Sequence, residues 1–155
     1  METTLAHLAI APAPAVPVAS KPEAAKRWVG RVLTGLPVVF IGLDGCFKFS
    51  NLPEVVEASA KLGFSKSTLP LLGVVELLAV LLICVRRTRP LGAVLASAYL
   101  GGAVATHVRL GDPLLTHLLP PIAFALAIWG GLVLTDARVR ALSPFRPSAE
   151  PSSKL

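Results

Sequence analysis

The sequence predicts an all-α integral membrane protein: a four-helix bundle with a short amphipathic interfacial helix between spans one and two. The 155 residues are 54% hydrophobic and only 15% charged, and their mean hydropathy is +0.69, which lies outside the range of ordinary soluble domains. Four apolar runs are separated by short charged or proline-marked breaks. None of them has a polar stripe wide enough to face water, which argues against a soluble bundle.

The four runs set the domain organisation. They are Trp28–Phe47, Leu69–Val85, Leu91–Val108 and Leu115–Leu134. At about 1.5 Å per residue, each comes close to the roughly 30 Å of a hydrocarbon core. Gly35 and Pro37 predict a kink in the first span. We therefore expect a disordered cytoplasmic tail over residues 1–27, a transmembrane domain over 28–136 and a cytoplasmic tail over 137–155. The first tail has no basic n-region, so no cleaved signal peptide is expected.

The basic residues predict the orientation in the membrane. Of the 15 Lys and Arg residues, those in the segments after the first and third spans are Lys48, Lys61, Lys66 and Arg109. All others fall on the opposite side, which predicts an inner (plasma) membrane protein with both termini in the cytoplasm. Because the cations flank the spans instead of forming a patch, the lipid bilayer is the expected partner, and nucleic acid is not.

The link between the first two spans, NLPEVVEASAKLG, predicts an amphipathic helix of about three turns. Asn51 is its expected cap, Pro53 suits the first turn and Gly63 is the expected stop. One face is lined by Leu52, Val55, Val56, Ser59 and Leu62. Such a helix lies on the outer membrane surface. The alternative is a lid that packs on the bundle.

Small residues at four-residue spacing predict where helices approach closely. They are Ala93, Ser97, Gly101 and Ala105 in span three, and Ala123, Ala127, Gly131 and Thr135 in span four. We expect spans three and four to form the close pair, or else one ladder to face a second subunit. At the entry to span four, Pro120 and Pro121 either begin the helix or kink it, and residues 110–119 are expected to dip towards the bundle.

Polar side chains crowd the outer half of the predicted bundle. They are Asp44, Lys48, Glu76, His107, Arg109, Asp112 and His117. A charge in hydrocarbon costs roughly 2.5–3.5 kcal/mol even on lenient scales, so such residues need partners. Asp44 and Lys48 have the i,i+4 spacing of a helical ion pair. Glu76, about 10 Å into its span, must find a partner on another helix or stay protonated. Its candidate partners are Lys48, Arg109 and His107.

We predict an outward-facing pocket, with a purely structural polar cluster as the alternative. The candidate ligand-binding residues are Asp44, Lys48, Glu76, His107, Arg109 and His117. The motifs assign no catalytic residue, because a phosphate loop, a nucleophile elbow and a catalytic carboxylate pair are all missing. The histidine spacing matches no recognised metal or haem site, so no metal is predicted. Cys46 and Cys84 are expected near opposite membrane faces, too far apart for a disulfide.

Two segments carry a family resemblance. GLDGCFKFSNLPEVVEASAKLGFSKSTLPLLGVVELLAVLLIC, residues 42–84, and ATHVRLGDP, residues 105–113, resemble the two halves of the DoxX-like four-span membrane proteins. The resemblance extends over about residues 28–136. Lys48, Glu76 and His107 match polar positions of that family, whereas Asp44 matches no pattern in it.

The resemblance implies a redox setting. Some members of the wider family are subunits of membrane thiosulfate:quinone oxidoreductases, and others associate with systems that handle thiol and oxidative stress. The first hypothesis is therefore an accessory or quinone-facing subunit of a redox or oxidative-stress membrane complex. Quinone is then the candidate cofactor, and an oxidoreductase, a sulfurtransferase or a second copy of the chain is the candidate partner. The alternatives are a proton-coupled small-solute carrier, with Glu76 as the titrating group, and a non-catalytic membrane scaffold.

Overall fold

The computed structural model describes residues 21–141, and every element in that range is helical. The helices are α1 (Lys21–Phe47), α2 (Pro53–Lys61), α3 (Leu69–Cys84), α4 (Arg89–Leu110), α5 (Leu119–Thr135) and α6 (Ala137–Ala141). A 3₁₀ turn at Lys66–Thr68 leads into α3, and a π-helical turn at Leu114–Leu118 leads into α5. Four stretches are long and apolar enough to cross a membrane, namely Pro22–Phe47, Lys66–Cys84, Arg89–Leu110 and Leu114–Thr135. The predicted all-α membrane bundle is confirmed.

The first helix is longer than the predicted span. Within the described residues it already runs from Lys21, ahead of Trp28, and the segment between them consists largely of strong helix formers. α6 likewise makes residues 137–141 helical, where the sequence predicts a tail. The remaining tail residues, 1–20 and 142–155, lie outside the described range, so the disorder of the first tail and the cytoplasmic location of both tails stay predictions. α1 continues as one helix through Pro37, whose side chain is fully buried; the kink there also stays a prediction.

The four long helices form a closed ring around a shared core. α1 packs against α3 and α5, and α4 packs against the same two helices, so α1 and α4 stand at diagonal corners. The buried centre contains Ile41, Ile83, Leu100, Ile128 and Leu132. Large apolar side chains on the outward faces, such as Leu71 and Leu126, are more than 60% exposed. Such faces suit contact with acyl chains, which need no polar surface.

The prediction that spans three and four form the close pair is wrong. Gly131 of the α5 ladder faces α1, where a Cβ on it would lie 2.5 Å from the carbonyl oxygen of Gly30. On α4, by contrast, a Cβ on Gly101 would meet nothing within 4 Å. Both helices carry a ladder at the same spacing, and spacing alone does not say which helix each ladder faces. α4 and α5 do pack, with the Trp129 indole N–H donating to Ser97 Oγ at 2.9 Å.

The connecting segments largely have the structure that the sequence predicts at the end of the bundle where α1 ends. We call this end the α2 end. α2 has Pro53 in its first turn and ends before Gly63, whose φ of +88° favours glycine. Leu52 takes the cap position that was expected for Asn51, which adopts a left-handed φ of +54°. Pro120 and Pro121 stand in the first turn of α5, directly after the π-helical turn Leu114–Leu118, so the proline pair begins α5 about one turn inside the helical stretch Leu114–Thr135.

Candidate functional site

A cavity of about 670 Å³ lies at the α2 end, bounded by residues of α1 to α5. We call it the outer cavity, because the sequence predicts that the α2 end faces away from the cytoplasm. Most of its lining residues are apolar, including Phe40, Leu72 and Phe124. Its polar lining consists of Asp44, Lys48, Glu54, Ser59, Glu76, Tyr99, Thr106 and His107. An apolar chamber with a few convergent polar groups is the usual form of a small-molecule site.

Two glycines allow the charged residues of this cavity to meet. A Cβ on Gly73 of α3 would lie 2.8 Å from the backbone oxygen of Gly45 on α1, and a Cβ on Gly45 would lie 3.0 Å from Glu76 Oε2. Neither position has room for a larger side chain without movement of its neighbours. The resulting close approach of α1 and α3 places the Glu76 carboxylate against the last turn of α1.

Lys48 joins two carboxylates on different helices. Its ammonium group donates to Asp44 Oδ2 at 2.5 Å and to Glu76 Oε1 at 2.8 Å. The Glu76 side chain is 0% exposed and that of Lys48 is 9% exposed, whereas half of the Asp44 side chain is exposed. Asp44 therefore links a buried ion pair to the surface. Of the three candidate partners for Glu76, the structure selects Lys48.

One oxygen of Glu76 is left without a partner. Oε2 is buried and makes no hydrogen bond of normal geometry among residues 21–141, although the Tyr99 hydroxyl lies close enough to interact with the carboxylate. Glu76 lines the outer cavity together with Tyr99, whose ring centroid lies 5.9 Å from Lys48 Nζ in a weak cation–π contact. A buried polar atom without a partner is costly, and each such case calls for a physical reason. A ligand in the cavity that donates a hydrogen bond to the Glu76 carboxylate would supply the missing partner.

The two histidines occupy the edge of the site. His107 Nδ1 lies 2.7 Å from Asp112 Oδ2, and the rings of His107 and His117 are 5.1 Å apart between centroids. His107 lines the cavity, but His117 does not; its Nδ1 hydrogen-bonds Thr116 Oγ1 at 2.8 Å. Across residues 21–141, no group of three or more His, Cys, Asp or Glu side chains could hold a metal ion.

Residues 32–131 match the model of the DoxX-like family. The chain belongs to the DoxX-like family. The matched range runs from the fourth turn of α1 to the last turns of α5, so it contains every residue that lines the outer cavity. The resemblance seen in the sequence is confirmed at the level of the family, and this DoxX-like chain is a multi-pass membrane protein. It matches no curated protein and no solved structure.

In this DoxX-like chain, Arg109 does not line the outer cavity but contacts the chain at the end of α2, which forms part of the cavity wall. Its guanidinium Nη2 donates to the backbone oxygen of Leu62, just after the end of α2, at 3.0 Å. Residues of α2 form part of the cavity wall, including Val55, Ala58 and Ser59. Arg109 therefore ties the end of α4 to the helix that covers the site. The Arg109–Leu62 contact fits the predicted alternative of a lid, while the location of α2 on the outer membrane surface stays a prediction.

Arg109→Ala is expected to loosen α2. Loss of one such hydrogen bond costs about 1 kcal/mol, so amide hydrogen exchange in α2 should become roughly fivefold faster. Exchange measured by mass spectrometry in detergent checks this, with Lys61→Ala as the control, since Lys61 is an exposed cation on α2 itself. Equal exchange in Arg109→Ala and the unaltered protein would show that this contact does not hold the helix.

Four of the six candidate residues line the outer cavity, and sequence reasoning missed one important neighbour. Asp44, Lys48, Glu76 and His107 line it, while Arg109 and His117 lie outside it. The missed residue is Tyr99, the chain's one tyrosine, placed in the middle of an apolar span. A phenol hydroxyl in hydrocarbon needs a polar partner, and that requirement was the signal in the sequence. Cys46 and Cys84 are both free, as expected.

Proposed function

We propose that the outer cavity binds a quinone-type amphiphile and that the chain serves a redox or oxidative-stress membrane complex as an accessory or quinone-facing subunit. The observation that carries this proposal is the unpartnered Glu76 Oε2 beside Lys48, in the wall of an otherwise apolar chamber. A quinone combines an apolar ring and tail with ring oxygens, which accept hydrogen bonds from a donor such as Lys48 and, in the reduced hydroquinone, donate them to an acceptor such as Glu76. The cavity volume of about 670 Å³ falls within the usual range for small-molecule sites, about 300–1,000 Å³.

The polar groups have separate roles in this proposal. The Lys48 ammonium can donate a hydrogen bond to a ring oxygen and favours a negative charge there. Glu76 accepts a hydrogen bond when ionised and donates one when protonated, so its free oxygen suits either the carbonyl or the hydroxyl form of a ring. Phe40 and Phe124, which contact each other edge to face at 5.1 Å, provide an aromatic wall. The proposal concerns binding, and electron transfer is assigned to a membrane oxidoreductase or sulfurtransferase partner.

Gly102 and Gly101 provide a matched test. A Cβ on either residue would meet nothing within 4 Å, yet Gly102 lines the cavity and Gly101 does not. Gly102→Leu is expected to fill the cavity and weaken binding of a short-chain quinone at least about tenfold, the effect of losing about 1.4 kcal/mol. Gly101→Leu should bind normally. Both changes replace a helical glycine and should raise stability by a similar amount, up to about 1 kcal/mol.

The readout is the quinone-dependent shift in melting temperature of the detergent-purified protein, followed by a titration. An alkylbenzene of similar size, which has no oxygens, serves as the control ligand. The Glu76→Gln variant tests whether binding needs the buried carboxylate, and the Glu57→Gln variant, at an exposed acid of α2, is its control. Equal binding by the two leucine variants would place any quinone site elsewhere. No shift with any quinone would favour the scaffold alternative, in which the charges only lock the bundle.

A second cavity favours the carrier as a second candidate function. It occupies about 630 Å³ at the opposite end of the bundle, where α1 begins and α6 lies. On α1, Val38 lines this cavity and Ile41 lines the outer one, about one helical turn apart. Two cavities that approach from opposite ends suit a carrier whose barrier is the apolar core. Solute uptake into proteoliposomes that requires a pH gradient and fails in Glu76→Gln would support it.

A further inference from the structure

The second cavity, which we call the basic cleft, gathers most of its polar lining from cations. Its basic lining residues are Lys26, Arg27, Arg31, Arg86, Arg89 and Arg140. They come from α1, from the connection between α3 and α4, from the start of α4 and from α6. The tendency of cations to collect at one membrane face accounts for their number at this end. It does not account for their convergence on one cavity from three sides of the bundle.

The cleft contains little negative charge to balance these cations. Glu23 is the one acidic residue in its lining, and it reaches Arg27 only at 3.9 Å, with both side chains about 60% exposed. Asp136 lies nearby in sequence but pairs with Arg138, which holds the pKa of that carboxyl below its ordinary value. Neither Asp136 nor Arg138 lines the cleft. Arg89 donates to the backbone oxygen of Ile83 at 3.2 Å and lies near the Asp136 carboxylate. Apart from the Arg27–Glu23 contact, the other cleft cations have no acidic partner in the described residues, so they are available to an external anion.

The lining indicates what kind of anion fits. Thr34 lines the cleft, but its Oγ1 is buried against Gly131, where α1 packs on α5. The deeper wall is apolar, formed by Val38, Ile83 and Leu132. Guanidinium groups match the oxygens of a phosphate by paired hydrogen bonds. An apolar wall adjoining that charge matches an acyl chain.

We propose that the basic cleft is a binding site for a phosphate ester anion, with the headgroup of an anionic phospholipid as the source that the apolar wall favours. The phosphate lies among the guanidinium groups. Its acyl chain lies along Val38 and Leu132. Basic pockets between membrane helices hold anionic headgroups in this manner. The site is separate from the outer cavity and does not depend on what that cavity binds.

The test compares two pairs of substitutions with the same change of charge. Arg31→Gln with Arg86→Gln removes two cleft cations, whereas Arg87→Gln with Lys66→Gln removes two exposed cations outside the cleft. Binding of phosphatidylglycerol and of phosphatidylcholine is measured on the detergent-purified full chain by native mass spectrometry. The unaltered protein should prefer phosphatidylglycerol. The cleft pair should weaken that binding about tenfold or more, since each cation near an anionic headgroup contributes appreciably, and the control pair should leave it unchanged.

Inorganic phosphate forms the second arm of the test. A rise in melting temperature with phosphate but not with chloride, abolished by the cleft pair, together with no preference for phosphatidylglycerol, would identify a free phosphate ester as the source. If the cleft pair fails to fold, Arg31→Lys with Arg86→Lys keeps the charge and should lose only the paired hydrogen bonds. Equal losses in the cleft and control pairs would overturn the proposal. So would an unaltered protein that prefers neither phosphatidylglycerol nor phosphate.

Discussion

Lys48→Met is expected to lower the free energy of unfolding by about 3–5 kcal/mol, the usual cost of removing one partner from a buried ion pair. The substitution keeps the length and apolar stem of the side chain but leaves Glu76 with no cation. Glu76 is fully buried, and in the described residues its one ion-pair partner is Lys48. Leaving Asp44 without Lys48 costs less free energy, because half of the Asp44 side chain is exposed.

The measurement is thermal or denaturant unfolding in detergent, with Glu76→Gln combined with Lys48→Met as the second variant. Replacing both charges removes the unpaired carboxylate, so the double variant should recover much of the loss and give a favourable coupling energy between the two sites. Lys66→Met is the matched control, since Lys66 is exposed at the same end of the bundle, and should change stability by less than about 0.5 kcal/mol. A Lys48→Met protein as stable as the unaltered one would mean that Glu76 does not rely on this ion pair.

Gly131→Ala should destabilise the bundle by about 1–3 kcal/mol, the typical effect of extra volume in a packed interface. The added methyl group would clash with Thr34 Oγ1 and lie 2.5 Å from the Gly30 carbonyl oxygen. A flexible side chain could move aside, but the Gly30 backbone belongs to α1 and cannot move alone. α1 and α5 must therefore separate along part of their length.

Gly130→Ala is the control for this interface. A Cβ at Gly130 would meet nothing within 4 Å, so the better helix propensity of alanine should leave stability unchanged or raise it by up to about 1 kcal/mol. Unfolding of both variants in the same detergent gives the comparison. Similar stabilities for Gly130→Ala and Gly131→Ala would show that α1 and α5 have room to relax at this contact.

Much of the candidate site could be predicted from the sequence, because some of its contacts join residues that are close together in the chain. Asp44 and Lys48 form the ion pair that their i,i+4 spacing predicts, and the link containing Pro53 and Gly63 forms the predicted short helix. Arg109 and His117 were placed in the pocket because they lie at the right depth. Depth along a helix does not specify which way a side chain points, and these two contact the edge of the site.

The sequence by itself determined the four membrane-crossing helices and the end of the bundle at which Asp44, Lys48 and Glu76 lie. Both depend on transfer free energies summed over a short window of residues, which need no knowledge of neighbours. Only the tertiary structure decided that Lys48 is the partner of Glu76, that Tyr99 joins them and that α5 packs closely on α1. Those outcomes depend on how each helix is rotated and which helix stands beside it. Contacts between residues far apart in the chain, such as Gly45 with Gly73 and Gly30 with Gly131, settle that arrangement.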